Sequence, residues 1–538
     1  MSARVDLIWL GDAPLPAWPH GELRRCALSP SGVRDMIARE LSGSGAEAWL
    51  FWDSALGTPP ADRILALLDT PGDLWHSGLE LGLAGAPGMI DFAAPTWTFN
   101  RDPSPSVPAT SWRVSLRACL ARTEVLRWSP PDNGFDSLDA MSLEWGHRCI
   151  RFGALPRHVP LGLPCVAPRI PLEDELRFLR RSFGRRWALW ATLRAMLARY
   201  DTPESLADAW LATREVVATV PATVYTRARV RAARRAPSVS VLIPTLDRPE
   251  YLRTILGQLR AQRLRATEVI VVDQAPAERH DSGLAREFAD LPVTVLTLDS
   301  AGQCTARNAG LLRARGDAIL FVDDDDEIEP DLIARHVAHL LDTGADVSSG
   351  VAREPAAGPL PAAFTLARAS DVFPTNNSLA RRSVLERSGL FDLAYDHGAR
   401  ADGDLGMRAY LSGAVMLLSP DISVLHHHAP RGGLRTHGAR VVTYAGSRRR
   451  ITLRHLPEVT EIYRSLRYFS DRQVREALAQ SAAGTLSAHA GGWRRAAKAL
   501  YGAALMPHTI WKIRQRLRQA RRMLERFPEI PTLPPRAA

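Results

Sequence analysis

Hydrophobic and polar positions follow three textures along the chain, and the sharpest begins at Ser238. VSVLIP is an unbroken apolar, β-rich run, and RPEYLRTILGQLRAQ carries apolar residues at three- and four-residue spacing, so the pair predicts a strand followed by a helix. EVIVVD predicts a second buried strand, ARNAGLLRARG a helix stopped by Gly316, and AILFV a third strand that runs into DDDD. Fully apolar strands alternating with helices predict an α/β unit with a parallel sheet covered on both faces. Ligands of such sheets bind outside the carboxyl ends of the strands, where the polar residues of this segment fall.

The remaining textures flank this one. Residues 1–165 mix short apolar runs with Pro, Gly and Trp. From Leu172 the chain turns helical and basic, with ELRFLRRSFGRRWALWATLRAMLARY and then DTPESLADAWLATREVV, for which Thr202 or Ser205 supplies the start signal. After Arg440 it is helical and basic again. WRRAAKALYGAALMPHTIWKIRQRLRQARRMLERF suits either an amphipathic helix on an anionic membrane surface or packing on the preceding domain. The tail FPEIPTLPPRAA is expected to be extended or disordered. The organisation expected is therefore a first α/β domain at 1–165, a helical connector at 166–236, the α/β unit at 237–440 and a basic helical region at 441–538.

Composition narrows the classes. A chain of 538 residues, 46% apolar and 23% charged, is globular with two or three domains. Its net charge of +10 points to anionic partners: nucleotide phosphates, nucleic acid or an acidic membrane face. The arginines form no stripe interleaved with aromatics, so no nucleic-acid partner is expected. Five cysteines without a CxxC pair argue against a disulfide framework or zinc site and for a reducing compartment. MSARVDLIWLGDAP has no charged n-region leading into an apolar core, and no stretch offers the roughly 18 uninterrupted apolar residues of a membrane span. The expected location is cytoplasmic, with peripheral contact at the inner face of the membrane as an option.

FVDDDDEIEPD carries the strongest chemistry. An apolar strand runs directly into four aspartates, and Pro330 then suits the start of the helix DLIARHVAHLL. Carboxylates crowded at a strand end repel one another unless a cation neutralises them, and a hard divalent ion, Mn²⁺ or Mg²⁺, takes oxygen ligands while bridging to substrate phosphates.

VSVLIPTLDRPEYL, EVIVVDQ, GQCTARNAG and FVDDDDEIEP, in this order within residues 238–430, resemble glycosyltransferase family 2. The resemblance implies a GT-A fold, an Asp-x-Asp motif and inverting transfer from a nucleoside-diphosphate sugar, UDP being the expected nucleotide. It puts Pro244 and Thr245 beside the base and ribose, Asp273 on the base, and Arg307 near the base or pyrophosphate. Asp323 is placed on ribose and metal and Asp325 as the main metal ligand; Asp324 and Asp326 remain candidates because four aspartates blur the register. Leu246 and Asp247 replace the family's usual aromatic residue and Asn. In HGARADGDLGMRAYLSG the first acid of the usual pair is missing at Ala401, and Asp402 stands at the position of the general base, a role a carboxylate fills by taking the acceptor's proton. Asp404 is the alternative base, and capping of the following helix is the structural reading of both. In VLHHHAP the resemblance implies a metal-ligating histidine, His426 first and His428 second; alternate residues of a strand share a face, so His427 points the other way. The partners implied are the donor and a glycan, lipid-linked or small-molecule acceptor. The sequence leaves homo-oligomers open. The competing reading is a catalytically inactive GT-A-like scaffold in a glycan-assembly complex.

The first domain resembles a worn second copy. AEAWLFWDSALGTPPADRIL matches GDAILFVDDDDEIEPDLI, which pairs Asp53 with Asp323, and SLEWGHRCIRFGA matches DGDLGMRAYLSGA, which pairs Glu144 with Asp404 and Arg148 with Arg408. Ala55 then meets Asp325, Ile37 meets Arg307 and Ser142 meets Asp402, so a degenerate, non-catalytic domain is expected, with Asp53, Glu144 and His147 its only residual chemistry.

Overall fold

The computed structural model describes residues 4–132, 134–166, 168–227, 235–281, 283–354, 358–429, 432–433, 447, 449–488 and 491–535. Parts of the connector around 228–234 and of the 434–446 boundary fall outside them.

Two mixed sheets form the body of the molecule. The first contains β1 (Val5–Leu10), β2 (Leu23–Cys26), β3 (Ala48–Asp53), β4 (Leu74–His76), β5 (Ala109–Thr110), β6 (Ala118–Arg122) and β7 (Pro156–His158), in the order β2-β1-β3-β6-β4-β7-β5. The second contains β8 (Val239–Thr245), β9 (Glu268–Asp273), β10 (Val293–Thr297), β11 (Ala318–Phe321), β12 (Asp326–Glu327), β13 (Val347–Arg353), β14 (Arg368–Ala369), β15 (Ser378–Arg381) and β16 (Met416–His426). Its order is β10-β9-β8-β11-β15-β13-β16-β12, with β14 also on β16.

The three strands expected from VSVLIP, EVIVVD and AILFV are β8, β9 and β11, parallel and buried on both faces. The sheet is nevertheless mixed rather than all parallel, because β15 inserts antiparallel between β11 and β13. SLAR is four residues long and leads straight into a helix at Arg382, so no periodicity announces it.

The sheets match strand for strand. β2, β1, β3, β6, β4, β7 and β5 correspond in order, chain sequence and sense to β9, β8, β11, β15, β13, β16 and β14; β10 and β12 have no counterpart. The register pairs Phe51 with Cys119 in the first and Phe321 with Ser378 in the second, which sets the offsets at 270 and 259 residues. The Leu138–Arg151 helix carries a buried Glu144–Arg148 ion pair at 3.0 Å, and the Ala401–Leu411 helix a buried Asp404–Arg408 pair at 2.8 Å. Each arginine reaches back to a serine, Arg148 to Ser129 and Arg408 to Ser388.

The halves pack reciprocally. Gly413, just beyond the Ala401–Leu411 helix, has φ +86 and lies against the Pro108 carbonyl that leads into β5, while Gly153, just beyond the Leu138–Arg151 helix, has φ +111 and lies against the Ala367 carbonyl that leads into β14. A side chain at either position meets backbone, and the left-handed φ favours glycine besides. Arg157 and Tyr410 tie the first contact through Gly413 O (3.2 Å) and Arg101 O (2.9 Å).

The basic stretch after Leu172 is two helices, Leu172–Phe183 and Arg185–Leu197, broken by Gly184 at φ +79. Thr202 caps the next helix, Pro203–Ala212, by accepting from Ser205 N. The C-terminal region forms helices Val459–Tyr468, Asp471–Gly484, Trp493–Ala504 and Met506–Arg526. The tail beyond is extended but docked: Leu390 N donates to Pro531 O, and Leu533 is buried. All five cysteines are free, four of them buried. Among the described residues no helix is long and apolar enough to cross a membrane.

Candidate functional site

β8 and β11 end side by side, so Thr245 and the loop from Asp323 emerge together at the carboxyl edge of the sheet. After Thr245 the chain turns through Asp247, which has a left-handed φ of 57, and Pro249 opens the Pro249–Arg260 helix. That turn brings Arg248 onto the aspartates: its Nη1 lies 2.7 Å from Asp324 Oδ1 and 3.2 Å from Asp325 Oδ2. Thr245 Oγ1 donates to the second oxygen of Asp324 at 2.7 Å. Burial raises the Asp324 carboxyl to about 6 even against the opposing pull of Arg248 and Thr245.

β12 places the last aspartate. Its antiparallel register sets Asp326 opposite His426, and the side chains meet, Nδ1 to Oδ1, at 2.9 Å. Burial raises the Asp326 carboxyl. Burial pulls the other way on His426, but the bond to Asp326 and the surrounding aspartates push the imidazole up to about 9. The pair therefore shares a proton that a metal ion would displace.

Asp323, Asp326 and His426 present ligand atoms that all lie within 4.8 Å of one another. Two carboxylate oxygens and an imidazole nitrogen fit a hard to borderline divalent ion such as Mn²⁺. The sequence assigned Asp325 to this set. In the structure Asp325 Oδ2 accepts from Ala429 N at 2.8 Å and faces Arg248, while Oδ1 stands 3.7 Å from His426 Nδ1. His428 turns elsewhere, pairing with Glu354 at 2.9 Å although its ring packs on that of His426. His427 pairs with Glu327, on the opposite side as the alternation requires.

Two adjoining cavities open at this edge. One, about 240 Å³, is lined by Pro244, Thr245, Arg307 and Asp323–Asp325, with His426 and Gln303. The other, about 370 Å³, shares Thr245 and Arg248 and adds Asp273 and Arg279. Asp273 also caps its own strand by accepting from Ala275 N at 3.0 Å. Arg307 projects from the Gln303–Arg313 helix and bonds Asp323 at 2.9 Å. Close packing keeps this helix near the sheet: a Cβ on Gly310 would lie 2.1 Å from Leu242 Cδ1.

The same helix start ties in the second half of the site. Asp396 accepts from Cys304 N and Thr305 N at 2.8 Å, and Gln303 Nε2 donates to Tyr395 O. Six residues beyond Asp396, Asp402 stands in the first turn of the Ala401–Leu411 helix, half-buried and without a side-chain hydrogen bond to a described residue. Asp404 is fully buried and occupied by Arg408 at 2.8 Å and by the Tyr468 hydroxyl at 2.7 Å. Arg248, Gln303 and Asp396 were not singled out in the sequence. Arg248 sits directly after the Leu246-Asp247 departure, the one local sign that this turn differs.

In the first half Asp53 keeps its place at the end of β3, but Arg117 Nη1 lies on it at 2.7 Å and Arg117 Nε on Asp139 at 3.1 Å. By the 259-residue offset Arg117 stands where the second half has Asn376, a neighbour of Asp326 at 3.3 Å. His147 is enclosed by Trp97, Trp112, Phe178 and Phe183, and burial holds its pKa well below the usual histidine value. Ser142 spends its hydroxyl on Leu138 O.

The sequence model of glycosyl transferase family 2 matches residues 240–382. Among curated proteins, putative glycosyltransferase EpsH of Bacillus subtilis (strain 168) is 32% identical over 134 residues, which is 22% of this chain and 39% of that one. O-antigen biosynthesis protein RfbC of Myxococcus xanthus is 36% identical over 140 residues, 24% of this chain and 10% of that one. The chain thus spans well under half the length of these relatives. Solved structures with similar folds include a Pyrobaculum calidifontis mannosyltransferase in complex with GDP-Man and Mn²⁺ (22% identity, 61% of this chain and 96% of that one, TM-score 0.36). Residues 1–349 of S. aureus TarS are another (17% identity, 54% and 92%, TM-score 0.37). Both scores are low, and the GT-A assignment rests on the strand order and the sequence match. By that match residues 240–382 form a glycosyl transferase family 2 domain.

Proposed function

We propose that the chain transfers a glycosyl group from a nucleoside-diphosphate sugar to an acceptor hydroxyl, with inversion at the anomeric carbon. The observation that carries this reading is the meeting of Asp323, Asp326 and His426 at ligand distance, with Asp323, His426 and Arg307 lining a cavity that shares Thr245 and Arg248 with the one that holds Asp273. Asp273 and Thr245 receive the nucleoside, and Arg307 lies along the diphosphate. A Mn²⁺ or Mg²⁺ ion held by Asp323, Asp326 and His426, with Asp325 adjacent, would supply positive charge to the leaving diphosphate. Asp402, without a side-chain hydrogen bond to a described residue, takes the acceptor proton. The names of relatives such as RfbC support an acceptor in a bacterial surface glycan, and we place the reaction at a membrane face.

The first half, in this reading, is a second copy of the same domain that has lost catalysis. The guanidinium of Arg117 neutralises Asp53 and Asp139 in place of a metal ion, and Arg307 and Asp402 have no counterparts.

Calorimetry tests the donor site: UDP, GDP, dTDP and CDP are titrated with Mn²⁺ into the wild type and into Asp326→Asn and Asp325→Asn. The reading expects one nucleotide to bind once per chain, with the metal dependence weakened more by Asp326→Asn. Absence of nucleotide binding by the folded protein would replace it with the inactive scaffold.

A further inference from the structure

Residues 491–527 hold ten Lys and Arg against the single acid Glu525, a local charge of +9 in a chain whose total is +10. They form two helices, Trp493–Ala504 and Met506–Arg526, that meet at Leu505. Their inner sides are already engaged. Thr509, Ile513 and Ala520 are buried, Gly502 lies against Leu486, and Lys498 caps the carbonyls of Ser447 and Arg450 at 2.9 Å. Arg516 likewise bonds Leu456 O and Pro457 O.

Their outer sides carry large apolar groups: Trp493 is 71% exposed, Leu500 73%, Ile510 41% and Trp511 52%. Arg494, Arg495, Arg514 and Arg518 are exposed among them. A concentration of bulky apolar side chains amid basic ones marks an interaction surface. A purely electrostatic partner such as nucleic acid would use the arginines but leave Leu500 and Ile510 wet. An anionic bilayer uses both: the arginines meet the headgroups, and tryptophan and aliphatic side chains settle at the boundary with the acyl chains.

We propose that this two-helix face docks on an anionic lipid bilayer. The docking stands independently of the catalytic reading, but it is coupled to the site by packing. The Met506–Arg526 helix packs on the Val459–Tyr468 helix, whose end places Tyr468 on Asp404. The segment beyond Phe527 continues to Leu390, next to the helix bearing Asp402. An acceptor held in the same bilayer would therefore meet the catalytic domain in a fixed orientation.

Co-sedimentation of the full chain tests this, with vesicles of phosphatidylcholine alone and vesicles of equal parts phosphatidylcholine and phosphatidylglycerol. Binding is expected only to the second, weakening as salt is raised. Arg514→Gln and Arg518→Gln should each lower the partition constant about fivefold. Trp493→Ser with Trp511→Ser should lower it at least tenfold, because each indole leaves the interface. All four positions are surface-exposed, and circular dichroism checks that the variants stay folded. The proposal fails if the folded wild type does not pellet with the anionic vesicles, or pellets equally with neutral ones. It fails also if the double tryptophan variant binds as well as the parent, since the contact would then be with charge alone.

Discussion

Asp402 and Asp404 lie two positions apart on one helix, and their surroundings assign them different work. Asp404 is buried, with Oδ2 held by Arg408 and Oδ1 by the hydroxyls of Tyr468 at 2.7 Å and Tyr395 at 3.4 Å. Asp404→Asn removes the only carboxylate paired with Arg408 among the described residues, leaves it the Ser388 carbonyl, and turns an amide N–H₂ toward the guanidinium. A buried ion pair broken on one side costs about 3–5 kcal/mol. For a folding unit of about 200 residues that lowers Tm by about 10 °C. Asp402→Asn breaks no hydrogen bond to a described residue and should alter stability by no more than about 0.5 kcal/mol. It should instead slow transfer about 10²–10⁴-fold, the range of general base catalysis, with nucleotide affinity kept. Urea unfolding of both variants, followed by tryptophan fluorescence and resolved into its transitions because a chain with several folding units is not two-state, gives the first comparison. Release of nucleoside diphosphate from a donor sugar gives the second. A stable but inactive Asp404→Asn together with an active Asp402→Asn would reverse the assignment and refute the reasoning.

Further expectations concern stability. Arg117→Met leaves Asp53 and Asp139, with side chains 4% and 5% exposed, without their shared cation, so the first half should lose about 3–5 kcal/mol while nucleotide affinity stays the same; weakened nucleotide binding would show a donor site there after all. Gly310→Val drives a side chain into Leu242 and Val272 and should cost about 1–3 kcal/mol through overpacking; an unchanged urea midpoint would contradict the close approach of helix and sheet. His336 accepts from Ser348 Oγ and donates to Asn377 Oδ1, both at 2.8 Å, and burial lowers it to about 4 while His76 and His339 fall to about 3. The unfolded chain then binds more protons between pH 6.5 and 4, so stability present above pH 6.5 is lost as pH falls through that window, by about 1.4 kcal/mol per unit for each histidine. Asp91 and Glu175, raised by burial, oppose this in part. His336→Gln should flatten the acid limb by about one proton, and an unaltered slope would count against a neutral His336.

What the sequence disclosed and what it hid divide along a physical line. β8, β9 and β11 were legible because long apolar runs have few other uses, and the aspartates because four charges after a buried strand demand a partner. β15 was not, since four residues cannot show a period. Arg248 was hidden for a different reason: its role depends on the left-handed turn at Asp247 that swings it over the loop from Asp323, and a turn conformation is not written in composition. The preference for Asp325 over Asp326 came from the family resemblance, whereas the antiparallel pairing of β12 with β16 decides which carboxylate faces His426. Four consecutive aspartates could not reveal that register.

The two halves also explain one another. Each places an acid at the end of the equivalent strand, β3 in the first half and β11 in the second, and each has to neutralise it. In the first half a covalently fixed guanidinium does so permanently, through Arg117 on Asp53 and Asp139. In the second, Arg248 covers Asp324 and Asp325, but the cations on Asp323 and Asp326 among the described residues are Arg307 and the titratable His426. A fixed cation gives a stable and chemically closed strand end. A protonated imidazole gives one that an ion can open, since the proton leaves when a metal takes its place. The Gly153 and Gly413 contacts then hold the closed copy against the open one. In the proposed reading, the copy whose charge is balanced from within serves as a rigid support, and the copy whose charge balance depends on its surroundings carries the chemistry.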